Sequence, residues 1–204
     1  MTGPLGVILA GGLSTRYGSP KALATVGGSR IVDRAAAAVG AAAEPVVAIA
    51  NERAIAQAIG LPARADVHAG LGALGGIHSA LRWAEEERRA GILVVACDMP
   101  FVAVPLLRRL VALAAAADVV APESGGRRGI EPLCAFYATA CLPAVEAAIA
   151  RGDARVIAFH ADVRVRTVPL DEVRAFGDPA TLFLNVNTPE HRERAERIER
   201  GTAA

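Results

Sequence analysis

Apolar positions along the chain fall into short continuous runs separated by longer stretches of helical character. The runs at 5–10, 46–50, 92–96 and 119–121 suit strands buried on both faces, as in a parallel sheet. Between them, 30–39, 53–58, 77–89 and 104–115 read as helices. This alternation predicts a three-layer α/β/α domain with a mostly parallel, Rossmann-like central sheet. Farther along, 132–137 and 164–169 read as strands around a helix at 138–150, extending the sheet. A charge-rich helix over 189–200 has Thr188 as its cap and Pro189 at its first position, and its charges read mostly as a solvated face. Residues 123–129, rich in glycine and arginine, are the expected mobile loop. Trp83 reads as a packing residue rather than a base-stacking platform.

The first apolar run empties into a glycine loop, and here the pattern acquires chemistry. Residues 6–21 read GVILAGGLSTRYGSPK. Val7, Ile8 and Leu9 form the strand, after which Gly11 and Gly12 let the backbone turn and approach a ligand closely. Successive N–H groups in such a turn make a concave nest for phosphate oxygens, and Arg16 and Lys21 supply positive charge. Each charge pair at ~4 Å, in an effective dielectric of ~20, is worth about 4 kcal/mol before desolvation. Gly18 and Pro20 keep the segment from continuing as a regular helix. The loop reads as a nucleoside triphosphate site; a plain strand-to-helix turn with solvated charges is the alternative.

Two other glycine patterns bear on this reading. The mononucleotide loop GxxxxGK[ST] is absent, because Ser19 and Pro20 follow Gly18, which argues against a GTPase-type site. Gly70, Gly72 and Gly75 match GxGxxG literally, with Asp98 downstream. The preceding residues include Asp66 and His68 and do not make the apolar strand that a dinucleotide fingerprint requires. The segment is instead read as a second glycine loop serving the same pocket.

Asp98 follows the apolar run at 92–97 directly, with Pro100 just beyond. A carboxylate at the carboxyl end of a buried strand lies where open α/β sheets bind ligands. Magnesium takes one or two protein carboxylates together with phosphate oxygens and waters, so one aspartate suffices; a helix cap is the alternative. Asn51 and Asp66 occupy similar places after the second strand and near the end of a presumed third. Their amide and carboxylate could read a base edge or ribose hydroxyls, or could be turn residues. His68, His78, His160 and His191 show no partnered arrangement that compels a general-base role.

Composition narrows the class. A length of 204 residues supports one sizeable core, and a net charge of +1 gives no reason to expect nucleic acid or an acidic membrane surface as partner. The alanine-rich stretches at 35–43 and 114–117 favour helix and are too short to span a bilayer. Residues 1–6 lack the pattern of a signal peptide, so the expected compartment is the cytoplasm. Cys97, Cys134 and Cys141 read as reduced packing residues without metal-ligand spacing.

Several separate motifs in order carry a family resemblance over nearly the whole chain. Leu9, Ala10, Gly11 and Gly12, followed by Ser14, Arg16, Gly18 and Lys21, resemble the signature loop of the nucleotidyltransferases that activate molybdopterin. Further matches are Gly72, Ala73, Leu74, Gly75, Gly76 and Ile77; Cys97, Asp98, Met99, Pro100 and Phe101; Glu131, Pro132 and Leu133; and the segment from Asn185 through Val186, Asn187, Thr188 and Pro189 to Glu190. Among these enzymes the chain most resembles the molybdenum cofactor guanylyltransferases, the MobA family. Tyr17 stands where the family commonly has methionine, and Ala73 where it commonly has proline; neither change removes a catalytic group.

The resemblance implies a single nucleotidyltransferase domain over 1–204, with a nucleotide-binding half at about 1–121 and an acceptor-binding half at about 122–204. It implies attack by the terminal phosphate of Mo-molybdopterin on the α-phosphorus of GTP, with Mg2+ as cofactor and pyrophosphate as leaving group. Residues matching Leu9, Ala10, Gly11, Lys21, Asn51, Asp66 and Asp98 contact GTP in the family, and the one matching Asp98 also binds the metal. Arg16 and Lys21 would neutralise the departing pyrophosphate. Asn185 and Asn187 are candidates for the acceptor side, with Arg127 or Arg128 on the mobile loop. Proteins of molybdenum cofactor biosynthesis and chaperones of apo-molybdoenzymes are candidate partners. Sister cytidylyltransferases usually have alanine where Gly11 stands, and a glycine there leaves room for a purine, so GTP is expected over CTP. The competing readings are CMP transfer to molybdopterin, nucleotide transfer to a sugar phosphate, and a non-catalytic nucleotide-sensing module.

Overall fold

A computed structural model describes residues 2–11, 24–68, 70–126 and 129–201. Its centre is a seven-stranded sheet made of β1 (Leu5–Leu9), β4 (Val46–Ile49), β5 (Ala63–Arg64), β6 (Gly91–Ala96), β7 (Val119–Pro122), β8 (Cys134–Ala138) and β9 (Val165–Val168), in the order β5-β4-β1-β6-β8-β7-β9. Strands β5, β4, β1 and β6 run parallel, β8 pairs antiparallel with β6 and β7, and β9 is parallel to β7. The expected mostly parallel sheet is therefore present, with one reversed strand inserted.

Side-chain alternation in the inner strands feeds two cores. Ile8 of β1 and Leu93 and Val95 of β6 face one layer, formed by α1 (Ile31–Gly40), α2 (Arg53–Ile59) and α4 (Val104–Leu113). Leu5, Val7 and Leu9, with Ile92 and Val94, face the other, formed by α3 (Gly72–Glu86) and α5 (Leu142–Ala150). This period-two division explains the unbroken apolar runs: a strand covered on both faces has no solvent side to mark with polar residues. The short helices α6 (Leu170–Arg174) and α7 (Pro179–Leu182) add Val173 and Leu182 to the first core. A third cluster joins the hairpin of β2 (Thr25–Val26) and β3 (Ser29–Arg30) to α8 (Pro189–Glu199) through Val26, Ile31, Leu184, Val186 and Ala195. Thr188 caps α8 as expected, its hydroxyl accepting from His191 N at 3.2 Å.

Two helix starts are corrected, and further elements appear that no apolar run marked. The helix expected at 77–89 begins at Gly72, so half of the second glycine loop is the first turn of α3. Residues 138–141 end β8 and form a 3-10 turn, so α5 starts at Leu142 rather than at 138. The hairpin β2–β3 and the two-residue strand β5 lie in stretches without an apolar run. At the loop expected over 123–129, Ser124 N donates to Gly129 O at 3.0 Å and Glu123 bridges to Ile130. Arg127 and Arg128 lie outside the described residues. Trp83 packs as expected: it is 6% exposed, its Nε1 donates to Glu87 Oε1 at 2.8 Å, and the Arg64 guanidinium lies 4.2 Å from its ring centre. Cys97, Cys134 and Cys141 form no disulfide, and burial pushes Cys141 up to about 12.

Two consequences can be measured. A Cβ at Gly6 would lie 2.6 Å from Val39 Cγ1 and 2.8 Å from Ala43 O, so α1 packs on β1 only because that position is bare. Gly6→Ala should cost about 1–3 kcal/mol in denaturant unfolding. His160 lies edge-on to Phe159, with ring centres 4.9 Å apart, and burial lowers its pKa from 6.5 to about 4. Between those values the unfolded chain binds the proton that the folded state refuses, so stability falls as pH drops through that window. Thermal melts at pH 7 and pH 5 should differ less for His160→Leu than for the wild-type protein.

Candidate active site

Four adjacent parallel strands end along one edge of the sheet, and each carries a candidate residue two positions beyond its last. Asp66 follows β5, Asn51 follows β4, Gly11 follows β1 and Asp98 follows β6, so the spatial order is Asp66, Asn51, Gly11, Asp98. Backbone bonds hold these exits level: Ala50 N donates to Arg64 O at 2.9 Å, Ala10 N to Ile49 O at 2.9 Å and Cys97 N to Leu9 O at 3.0 Å. The chain leaves β1 toward β4 and returns on the other side as β6, so β1 marks the topological switch point, where open α/β sheets bind ligands.

A cavity of about 380 Å³ opens there, lined by Ala10, Gly11, Asn51, Glu52, Asp66, Gly70 and Gly72. Asn51 and Asp66 form a reciprocal pair: Asn51 Nδ2 donates to Asp66 Oδ2 at 2.8 Å, and Asp66 N donates to Asn51 Oδ1 at 2.7 Å. Asp66 Oδ1 is buried and meets no hydrogen-bond donor among the described residues. A buried acceptor left in this state costs about 1–3 kcal/mol, more when charged, until something donates to it. Gly11 leaves space over the pair, for a Cβ there would stand 3.7 Å from Asn51 Nδ2 and 3.8 Å from Asp66 Oδ2. Leu9 turns its side chain into the core, so only its backbone can serve a ligand.

On the opposite side of β1, Asp98 is half-buried in the turn after β6. Its carbonyl accepts from Val186 N at 2.9 Å, which lays the segment carrying Asn185 and Asn187 beside it. Asn185 Nδ2 donates to Phe183 O at 3.1 Å, and Asn187 N donates to His191 Nδ1 at 3.3 Å. Leu9, Ala10, Gly11, Asn51, Asp66 and Asp98 thus converge on one edge, with Asn185 and Asn187 adjoining at Asp98. Arg16 and Lys21 lie outside the described residues.

Gly70 and Gly72 also line the cavity, in keeping with a second glycine loop that serves the same pocket, whereas Glu52, which lines it too, had no assigned role. The spaced glycines were the available signal, and Gly70 and Gly72 do take positive φ, +87° and +55°, as the chain turns into α3. Glu52 has no distinguishing pattern. Among the histidines, His78 is 3% exposed on α3 and 3.5 Å from Glu146 Oε1. Burial lowers its pKa and Glu146 opposes the shift, the pattern of a packed neutral imidazole.

Comparison with solved structures places this architecture. Molybdopterin-guanine dinucleotide biosynthesis protein A from Archaeoglobus fulgidus superposes with a TM-score of 0.80 at 27% identity, over 97% of this chain and 99% of that one. Fold and crevice together define an α/β nucleotidyltransferase. The sequence model of the MobA-like NTP transferase domain matches residues 6–165. A probable molybdenum cofactor guanylyltransferase from Pelotomaculum thermopropionicum is 38% identical over 90% of this chain and 87% of its own length. The molybdenum cofactor guanylyltransferase of Desulfosudis oleivorans is 33% identical over 94% and 93%. The chain belongs to the MobA-like NTP transferase family.

Proposed function

We propose that this protein transfers GMP from GTP to Mo-molybdopterin, forming Mo-molybdopterin guanine dinucleotide and pyrophosphate. The observation that carries the reading is the ordered row of Asp66, Asn51, Gly11 and Asp98 at four neighbouring strand ends, in a chain whose relatives are named guanylyltransferases.

Charge orients the nucleotide along that row. The cavity between β1 and β5 has the carboxylates of Glu52 and Asp66 on its wall, which repel phosphate and accept N–H or O–H donors. The nucleoside therefore belongs there, with the Asp66 carboxylate as its acceptor. The phosphates then run past Gly11 toward Asp98, and Arg16 and Lys21, which lie outside the described residues, are assigned by the family resemblance to neutralise the departing pyrophosphate. The acceptor phosphate approaches from the side of Asn185 and Asn187, next to Asp98. Gly11 supports a purine over a pyrimidine, because an added methyl would fill the space above the Asn51–Asp66 pair.

Magnesium fits the donor set. Asp98 is a hard oxygen ligand at the rim of the crevice, and no group of three or more His, Cys, Asp or Glu among the described residues is arranged to hold an ion. An ion held by Asp98 would complete its shell with phosphate oxygens and water, as magnesium does, and would neutralise charge at the α-phosphate. The protein's own work is positioning: two ends of one nucleotide held on opposite sides of β1, with an acceptor already ionised, so that no side chain needs to act as nucleophile. We assign the reaction to the cytoplasm. No helix among the described residues is long and apolar enough to cross a membrane.

The test is to incubate the protein with magnesium, Mo-molybdopterin and either GTP or CTP, and to measure dinucleotide and pyrophosphate together. Product from GTP is expected; product from CTP alone would overturn the base assignment, and no product from either would overturn the reaction. In the same assay Asp98→Ala should lower turnover by at least about 100-fold with the melting temperature little changed. Normal magnesium-dependent turnover in that variant would remove Asp98 from the metal site.

A further inference from the structure

Ser79 lies in the second turn of α3 and is 4% exposed. Its hydroxyl donates to Gly75 O at 2.9 Å and accepts from Val67 N at 2.8 Å. The donation occupies its single proton and turns its lone pairs toward Val67, so the two bonds form a keyed link between helix and loop. Val67 cannot be held by packing, because it is 61% exposed despite being apolar. Its backbone bond to Ser79 is what ties this residue to the protein.

The residue before Val67 is Asp66. Asn51 holds Asp66 from the β4 side through its N–H and Oδ2. Ser79 holds the next peptide from the α3 side. Between these anchors the carboxylate lies over the bare first turns of α3: Cβ atoms added at Gly75 and Gly76 would meet it at 3.8 and 3.7 Å. At Gly75 the added atom would also come within 3.1 Å of His68 O, so loop and helix are in close contact along the whole segment. Asp66 Oδ1 is the one buried carboxylate oxygen left without a donor among the described residues.

We infer that Ser79, which does not line the cavity, is a positioning residue of the nucleotide site: through Val67 it sets where the Asp66 carboxylate stands toward the nucleoside. The inference rests on the proposed nucleotide reading of this crevice. It makes a clear distinction between the two ends of the ligand. Loss of the Ser79 link displaces the acceptor for the nucleoside and leaves Asp98, on the far side of β1, untouched.

The experiment is calorimetric titration of the wild-type protein, Ser79→Ala, Asp66→Ala and the double variant with GTP, and with inorganic tripolyphosphate as a probe for the phosphate subsite alone. Ser79→Cys is carried alongside, since it fills the same volume while offering a much weaker acceptor. Ser79→Ala and Ser79→Cys should each raise the GTP dissociation constant about tenfold, leave the tripolyphosphate constant within about twofold, and add nothing in the Asp66→Ala background. An unchanged GTP constant overturns the inference. So does an equal loss for GTP and tripolyphosphate, or a full additional loss in the Asp66→Ala background, because either would mean a general structural role. Failure of the wild-type protein to bind GTP overturns the nucleotide reading itself and the inference with it.

Discussion

Everything at the candidate site depends on the parallel pairing of β1 with β4 on one side and β6 on the other. Parallel strands share a direction, so their carboxyl ends lie along one edge, and register decides whether those ends are level. Gly6 to Leu9 run residue for residue against Val46 to Ile49, and Leu5 to Leu9 against Ile92 to Ala96. The next bonds of the ladder, Ala10 N to Ile49 O and Cys97 N to Leu9 O, carry that alignment into the loops. A one-residue slip would turn each strand's side chains to the wrong core as well as displace its exit, so packing of the two cores defends the register of the site.

Electrostatics then divides this edge into two territories. The cavity on the β4–β5 side is walled by carboxylates and an amide, which suits the uncharged, donor-bearing part of a nucleotide. The β6 side holds Asp98, tied through Val186 to the segment before α8. A nucleotide lying across β1 would have its two ends governed by different elements. Affinity for the nucleoside and chemistry at the phosphate would accordingly respond to different substitutions.

Legibility in the sequence followed burial. The strands β1, β4, β6 and β7 are fully or nearly fully buried, and each was visible as an apolar run. Strand β5 is two residues long at the sheet edge, one half-buried and one exposed, so no periodicity could mark it. The start of α3 was hidden because Gly72, Gly75 and Gly76 are poor helix formers; Gly72 takes a positive φ of +55°, and Gly75 and Gly76 stand where His68, Leu9 and Asp66 press against that turn. Asp98 could be read from its strand alone, and Asn51 nearly so. Ser79 carried no local signal, since a serine inside a helical pattern looks the same whether or not a loop hydrogen-bonds to it.

The sequence by itself determined the class of fold, the direction of the strands that matter, and the candidates at 9–11, 51, 66 and 98, because burial on both faces and the chemistry of strand-end residues are local properties of the chain. Only the tertiary structure decided the order of strands, the reversed insertion of β8 and the hydrogen bonds that join Asn51 to Asp66 and Ser79 to Val67. The two side-chain links join residues 12 and 15 positions apart, and the strand pairings join residues far more distant, such as Leu9 with Ala96; such partners are chosen by how the layers pack and not by any pattern within a single segment.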